Sequence, residues 1–254
     1  MLTFWIDETP GFMFHRTDST NAQATALLRA GVEPPLLVLA LGQSAGRGRL
    51  GRKWASPAGA GVYLTALVRA PDTDPQLVAL AAGLAALRTA KSLAPEAPLL
   101  LRWPNDLVTS DNRKLCGILC ELVPPGAAAV GVGFNLDDGP LTDVPAVGLR
   151  RWTKAPLQTV APALARSLLE ALAALAAPDG PAACVRAAAE IVRGQKVLVR
   201  VESGEVSGSV EGLAADGALL VTDDEGRRHR FVAADVRLLR LTRDPRAEGG
   251  AGCT

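Results

Sequence analysis

The feature that most constrains this chain's fold is a change of hydrophobic period at Gly194. Before it, apolar residues recur at both helical and strand spacing; after it, only short strand-length runs remain. Lys196–Val201, Val206–Leu213, Ala218–Thr222, Arg228–Val232 and Val236–Leu241 read as strands, and Ser203-Gly204, Asp216-Gly217 and Asp224-Glu225-Gly226 supply turns between the first four. So many short strands in so little chain predict a small barrel over residues 194–242, behind a larger unit over 1–193. The tail Arg243–Thr254 is Gly-rich and polar, and is expected to be disordered.

The larger unit mixes both periods. Asp18, Ser19 and Thr20 offer capping oxygens before a helix from about Asn21 to Ala30, which Gly31 can end. Leu36–Leu41 and Gly61–Val68 read as strands flanking a Gly/Arg-rich stretch, Gly42–Lys53. Asp74-Pro75 places a cap and a first-turn proline before a helix carrying Leu77, Leu80, Ala81, Leu84 and Leu87 on one face. Leu99–Trp103 and Leu115–Val123 read as strands joined through the turn chemistry of Ser110-Asp111-Asn112. In the strand Val130–Leu136, Gly131 and Gly133 share a face, which implies that a ligand or another backbone comes close there. Helices over Leu157–Ala176 and Pro181–Val192 complete an α+β reading, a mixed sheet with flanking helices.

Composition narrows the function. A net charge of +1 over 254 residues excludes whole-surface attraction to nucleic acid or anionic membrane, so any electropositive role must be local. The apolar run Leu77–Ala94 is interrupted by Arg88 and Lys91 and reads as a core helix, and the N-terminus lacks a basic-then-apolar leader. Cys116, Cys120, Cys184 and Cys253 have no metal spacing, so buried thiols in a reducing, cytoplasmic compartment are expected and no metal site is assigned. His15 and His229 have no partner pattern.

Gly46-Arg47-Gly48-Arg49-Leu50-Gly51 matches the dinucleotide fingerprint in letters only. That fingerprint needs its third glycine inside a helix start, whereas Gly51 leads toward Pro57 and Gly59. The phosphate-loop pattern fails too, because Arg52 stands where its lysine belongs and Lys53 replaces its Ser/Thr. What survives is a set of cations, Arg47, Arg49, Arg52 and Lys53, spaced by glycines that allow tight folding or mobility. Alone, such a loop is equally a solvated basic turn.

Its companions resolve the ambiguity. Ser19-Thr20-Asn21, Gln43 through Trp54, Arg102-Trp103-Pro104-Asn105-Asp106-Leu107, Lys114 through Glu121, and Gly131-Val132-Gly133-Phe134-Asn135-Leu136 together resemble the biotin protein ligase family in order and spacing, over about residues 12–240. The resemblance implies a class II aminoacyl-tRNA synthetase/biotin ligase-like catalytic domain followed by an SH3-like barrel. It implies attack of the biotin carboxylate on the α-phosphate of ATP, with Mg2+, then transfer from biotinyl-5'-adenylate to a lysine of a biotin carboxyl carrier protein. Ser19, Thr20, Asn21 and Gln43 would then meet the ureido ring. Arg47, Gly48 and Arg49 would close over ligand, Arg47, Arg49 and Arg52 would neutralise the phosphates, Trp54 would pack the loop, and Trp54 and Gly117 are counted among the ligand-binding residues. Lys114 would sit between carboxylate and α-phosphate, with Asn105 and Asn135 on the nucleotide side. The interval from Asp106 to Lys114 is one residue longer than the family's pattern.

Asp106 is the candidate to receive the incoming lysine, since a free amine of pKa about 10.4 is only roughly 0.04% neutral at pH 7. Lys114, Asp106 and Arg49 are thus the expected catalytic residues. The segment before Ser19 is too short for a DNA-binding helix-turn-helix, so no sequence-specific DNA binding is expected; the near-neutral charge and interrupted apolar run lead to no expectation of a membrane partner. The acceptor, a carrier of acetyl-CoA carboxylase or a related enzyme, is implied by resemblance alone; the oligomeric state stays open, a homodimer among the options. A lipoate protein ligase and a nucleic-acid-binding module using the basic loop remain the alternatives.

Overall fold

The computed structural model describes residues 1–70, 72, 74–139, 145–201 and 204–239. The tail Arg243–Thr254, Cys253, the expected turn residue Ser203 and the end of the last expected strand lie outside these residues.

The strands β1 (Leu2–Ile6) and β2 (Thr9–Phe14) form a hairpin that precedes α1 (Thr20–Arg29), followed by β3 (Leu36–Ala40), β4 (Gly61–Arg69) and α2 (Pro75–Leu93). Next come β5 (Leu99–Arg102), β6 (Asp106–Thr109), β7 (Lys114–Val123) and β8 (Ala127–Asn135), then α3 (Leu157–Leu175) and α4 (Gly180–Val192). These eight strands make one mixed sheet in the order β1-β2-β3-β4-β8-β7-β6-β5, in which only β2 and β3 run parallel.

Both faces of the sheet are covered, and the side-chain parity of β3 shows how. Leu37 and Leu39 join the large core with α2 and α3, while Leu36 and Val38 join a smaller core with Ala24 of α1. A strand buried on both sides reads as a continuous apolar run, which is why Leu36–Ala40 shows no alternation. The Asp74 cap holds as expected, its carboxylate accepting from Gln76 N at 2.8 Å. Two features carry no sequence signal. The hairpin β1–β2 is short and one-sided, and β6 hides inside the segment that reads as a connection between two strands.

The C-terminal strands β9 (Lys196–Val201), β10 (Gly204–Leu213), β11 (Leu219–Asp223), β12 (Arg228–Phe231) and β13 (Asp235–Leu238) form an antiparallel sheet in the order β12-β11-β10-β9-β13. Among the described residues β12 and β13 do not pair with each other, so the sheet is open where a closed barrel was expected. Its inner residues Val197, Val199, Val221 and Leu238 merge into the large core, so the open side is closed by packing rather than by strand pairing.

Polar fasteners add to that packing. Trp103 Nε1 donates to Gly217 O at 2.9 Å, Gln195 Nε2 donates to Leu101 O at 3.0 Å, and Asn112 bonds the backbone of Leu238. Gly217 has φ +83, and a Cβ there would press on Leu77. The thiols of Cys116 and Cys184 are buried as expected, whereas Cys120 is only half-buried by its residue surface. Burial raises the Cys116 thiol far above its usual value and lifts Cys120 to about 12, so neither is poised as a nucleophile. No described helix is long and apolar enough to cross a membrane.

Candidate active site

A cleft of about 790 Å³ opens on the α1 face of the large sheet. Every residue singled out for binding or chemistry lines it: Ser19, Thr20, Asn21, Gln43, Arg47, Gly48, Arg49, Arg52, Trp54, Asn105, Asp106, Lys114, Gly117 and Asn135. They come from the start of α1, the loop between β3 and β4, the β5–β6 turn and the strands β7 and β8.

The floor is made of glycines. Gly117 faces Gly133 across the β7–β8 pair, and Gly131 lies one step along. A Cβ at Gly133 would collide with the Trp54 indole, one at Gly131 with the Asn21 amide, and one at Gly117 would sit 2.8 Å from Lys114 Cε. The close approach expected at Gly131 and Gly133 is therefore made by side chains, not by another backbone. Trp54 lies along this floor with Lys114 Nζ 5.2 Å from its ring centroid, a cation over a π face. Its indole nitrogen is buried and makes no hydrogen bond.

At the back of the cleft stands a compact charge cluster. Lys114 Nζ is 2.6 Å from Asp106 Oδ1, and Arg102 Nη2 donates to Asp106 Oδ2 at 2.7 Å. Lys114 and Asp106 thus form an ion pair at contact distance. Burial pushes the Asp106 carboxyl up, but the opposing charges of Lys114 and Arg102 prevail and hold it below the usual carboxylate value. In the sequence Arg102 is only one member of a motif; its role becomes visible once β5 and β6 place it opposite Asp106.

Amides brace this cluster. Asn105 Nδ2 donates to Ile118 O at 2.7 Å and its Oδ1 accepts from Arg49 at 3.3 Å, while Asn135 Nδ2 donates to Lys114 O at 3.0 Å. At the other end, Ser19 is the N-cap of α1 but its hydroxyl makes no capping bond. Gln43 Oε1 takes that place, accepting from Thr20 N at 2.8 Å and Thr20 Oγ1 at 3.2 Å. Asn21 bridges, donating to Glu121 Oε2 at 2.7 Å and accepting from Thr65 Oγ1 at 2.6 Å.

The Gly/Arg loop is a folded hairpin rather than a slack tether. Arg47 and Lys53 form an antiparallel bridge, Gly48 N donates to Arg52 O at 2.7 Å, and Trp54 N to Gly46 O at 2.9 Å. Gly46 is needed for contact, since a Cβ would strike Trp54 O. At the tip Leu50 has φ 55 and is 81% exposed, an uncommon left-handed leucine that costs backbone strain. The loop arginines hold carboxylates: Arg47 donates to Glu121 at 3.0 Å and Arg52 pairs with Asp235 of the C-terminal sheet. Neither carboxylate was expected at the site, and Asp235 comes from far along the chain. Among the described residues no group of three His, Cys, Asp or Glu side chains is gathered to hold a metal.

Comparison with known proteins identifies the family. Residues 13–136 match the Biotin/lipoate A/B protein ligase family and residues 193–239 match the Biotin protein ligase C terminal domain. The chain is 34% identical over 236 residues to a biotin–[acetyl-CoA-carboxylase] ligase of Paracoccus denitrificans, covering 85% of this chain and 95% of that protein. It is 40% identical over 131 residues to the ligase of the same name from Mycobacterium tuberculosis, about half of each chain (49% and 48%). Its fold superposes on biotin protein ligase from Aquifex aeolicus in complex with biotin and ATP with a TM-score of 0.76 at 25% identity, covering 92% of this chain and 99% of that one. With the loop, the lysine–aspartate pair and the glycine floor all in one cleft, the chain belongs to the biotin/lipoate A/B protein ligase family.

Proposed function

We propose that this chain is an ATP-dependent ligase that forms biotinyl-5'-adenylate and transfers biotin to a lysine of a biotin carboxyl carrier protein; its Paracoccus relative is named a biotin–[acetyl-CoA-carboxylase] ligase. The observation that carries this reading is the placement of Lys114 and the arginine loop around one cleft. Joining a carboxylate to a polyphosphate sets anion against anion, so cations must neutralise the developing charge. Arg47, Arg49 and Arg52 bind the phosphate oxygens, and Lys114 stabilises the oxygen between carboxyl and α-phosphate. Magnesium accompanying the nucleotide would supply further charge neutralisation, and the described residues gather no group of three carboxylate, His or Cys side chains to hold it.

Thr20, Asn21 and Gln43 present donors and acceptors that match a ureido group. Asp106 was expected to take the proton of the incoming lysine. Its carboxylate, flanked by Arg102 and Lys114, also orients Lys114 and attracts the ammonium of the acceptor. Residues 194–242 act as an SH3-like unit whose β13 edge completes the cleft wall. Incubation with ATP, magnesium and biotin should yield biotinyl-adenylate and pyrophosphate by mass spectrometry. Product with lipoate and none with biotin would overturn the substrate assignment, and none with either would overturn the activity.

A further inference from the structure

Lys114 reaches the cleft only because the β6–β7 ladder is irregular. Leu107 pairs with Cys116 and Val108 with Lys114, so Leu115 is the extra residue of a bulge. In a regular strand, alternation from Gly117, which faces the cleft, would aim Leu115 at the cleft and Lys114 at the core. The bulge reverses this: Leu115 is fully buried and Lys114 Cε passes over Gly117. The Lys114 backbone is held directly by Pro145 O at 2.7 Å, Val147 N at 3.0 Å and Asn135 Nδ2 at 3.0 Å, and the turn after β6 sets the bulge that precedes it.

That turn is closed locally by Asn112 N to Thr109 O at 2.8 Å and Thr109 N to Arg113 O at 2.9 Å. Its outer side is fixed by a tertiary contact. Asn112, at φ 64, donates through Nδ2 to Leu238 O at 2.7 Å and accepts at Oδ1 from Leu238 N at 3.0 Å. β13 is an edge strand, and this amide pairs with it as one more strand residue would. Asn112 lines the cleft, yet both ends of its amide are taken up by the backbone of Leu238.

We infer that Asn112 is a positioning residue, clamping the β6–β7 turn to the C-terminal sheet so that the bulge delivers Lys114 to Asp106 and the reacting oxygens. This deepens the proposed ligase reading and rests on it for its kinetic arm. The C-terminal sheet thereby acts on the first chemical step through the backbone of Leu238, in addition to the β13 residues that line the cleft.

The test compares the full-length wild-type chain with Asn112→Gly, which keeps the left-handed backbone and removes both hydrogen bonds, and Asn112→Asp, which keeps only the acceptor. Leu172→Ala, buried in α3 away from the cleft, serves as a stability control. Biotinyl-adenylate formation should fall in kcat by between about ten- and a hundredfold in N112G, the cost typical of a small misplacement. KM for biotin and ATP should stay within about twofold, because uniform binding is untouched, and N112D should lie between N112G and wild type. L172A should lower the unfolding midpoint but keep kcat. A readout free of activity uses an amine-acetylating reagent and peptide mass spectrometry, with exposed Lys53 as internal reference. Lys114 labelling relative to Lys53 should rise several-fold in N112G. Wild-type kcat in N112G, a loss that merely tracks stability as in L172A, or an unchanged Lys114 to Lys53 ratio would each overturn the clamp. Absence of adenylate in the wild-type chain would instead refute the ligase reading, while the labelling ratio would still decide the clamp.

Discussion

The two walls of the cleft carry similar charges and are built in opposite ways. On the sheet wall, Lys114, Asp106 and Arg102 have side chains only 20%, 12% and 11% exposed, and their neighbours are strands. On the loop wall, the Arg47–Glu121 and Arg52–Asp235 pairs are 49%/33% and 58%/48% exposed. Exposed pairs are worth roughly 0–1 kcal/mol, whereas breaking a buried one by removing a partner costs about 3–5 kcal/mol. The sheet wall is thus held in one arrangement, and the loop wall can trade its carboxylates for phosphate oxygens at little cost. Under the proposed function, fixed chemistry and exchangeable binding are divided between the walls.

The largest effect that would break this contrast is on the sheet wall. Asp106→Ala leaves two partly buried cations without their carboxylate, and should cost about 3–5 kcal/mol in urea unfolding. Its pH dependence has a defined sign. The folded carboxyl lies below its ordinary 3.8, so its contribution is full above that value and is lost as pH falls through the lower folded value. Asp106→Asn should shrink the stability loss between about pH 4 and the acid limit; an unchanged acid profile would show that the pair is loose.

Lys114→Ala should come next, lowering adenylate formation by about 10²–10³ with the fold retained, the magnitude for one lost donor to a developing oxyanion. Pyrophosphate release within a few-fold of wild type would remove its role. On the loop wall, Arg49→Gly should speed loss of the bound adenylate rather than its formation. One charged hydrogen bond of about 1.5–3 kcal/mol corresponds to about ten- to a hundredfold in release. Free biotinyl-adenylate and labelled bystander lysines would be its signature, and unchanged labelling selectivity would count against closure of the loop. The smallest effect is Asp235→Ala, which should change unfolding free energy by less than about 1 kcal/mol, with the difference vanishing in high salt. A larger or salt-independent change would mean that the loop wall is held as firmly as the sheet wall.

Much of the fold was legible because it rests on local chemistry. The cap at Asp74, the apolar period of α2 and the turn glycines of the C-terminal strands act within a few residues, and each element appears where they place it. The hairpin β1–β2 and strand β6 were not legible, being short elements whose pairing depends on distant partners. Of the site, the segments containing Arg47, Asp106, Lys114 and Asn135 were readable as a set. Arg102, Glu121 and Asp235 were not assigned roles, because an ordinary charged residue shows no signal until its partner is known.

By itself the sequence determined the order of the longer elements, the cation-rich loop with its glycine at Gly46, and the residue types that gather in one cleft. Only the tertiary structure decided how they are used. It assigned the glycine floor to Trp54 and Asn21, depressed the Asp106 carboxyl with two opposing charges, and turned Lys114 outward through a bulge braced by Leu238. It also left the C-terminal sheet open, closed by a shared core in place of strand pairing. The physical reason is one of range. Capping, turn formation and hydrophobic period are written within a few neighbouring residues, whereas ion pairing, desolvation and strand register depend on atoms that only folding brings together.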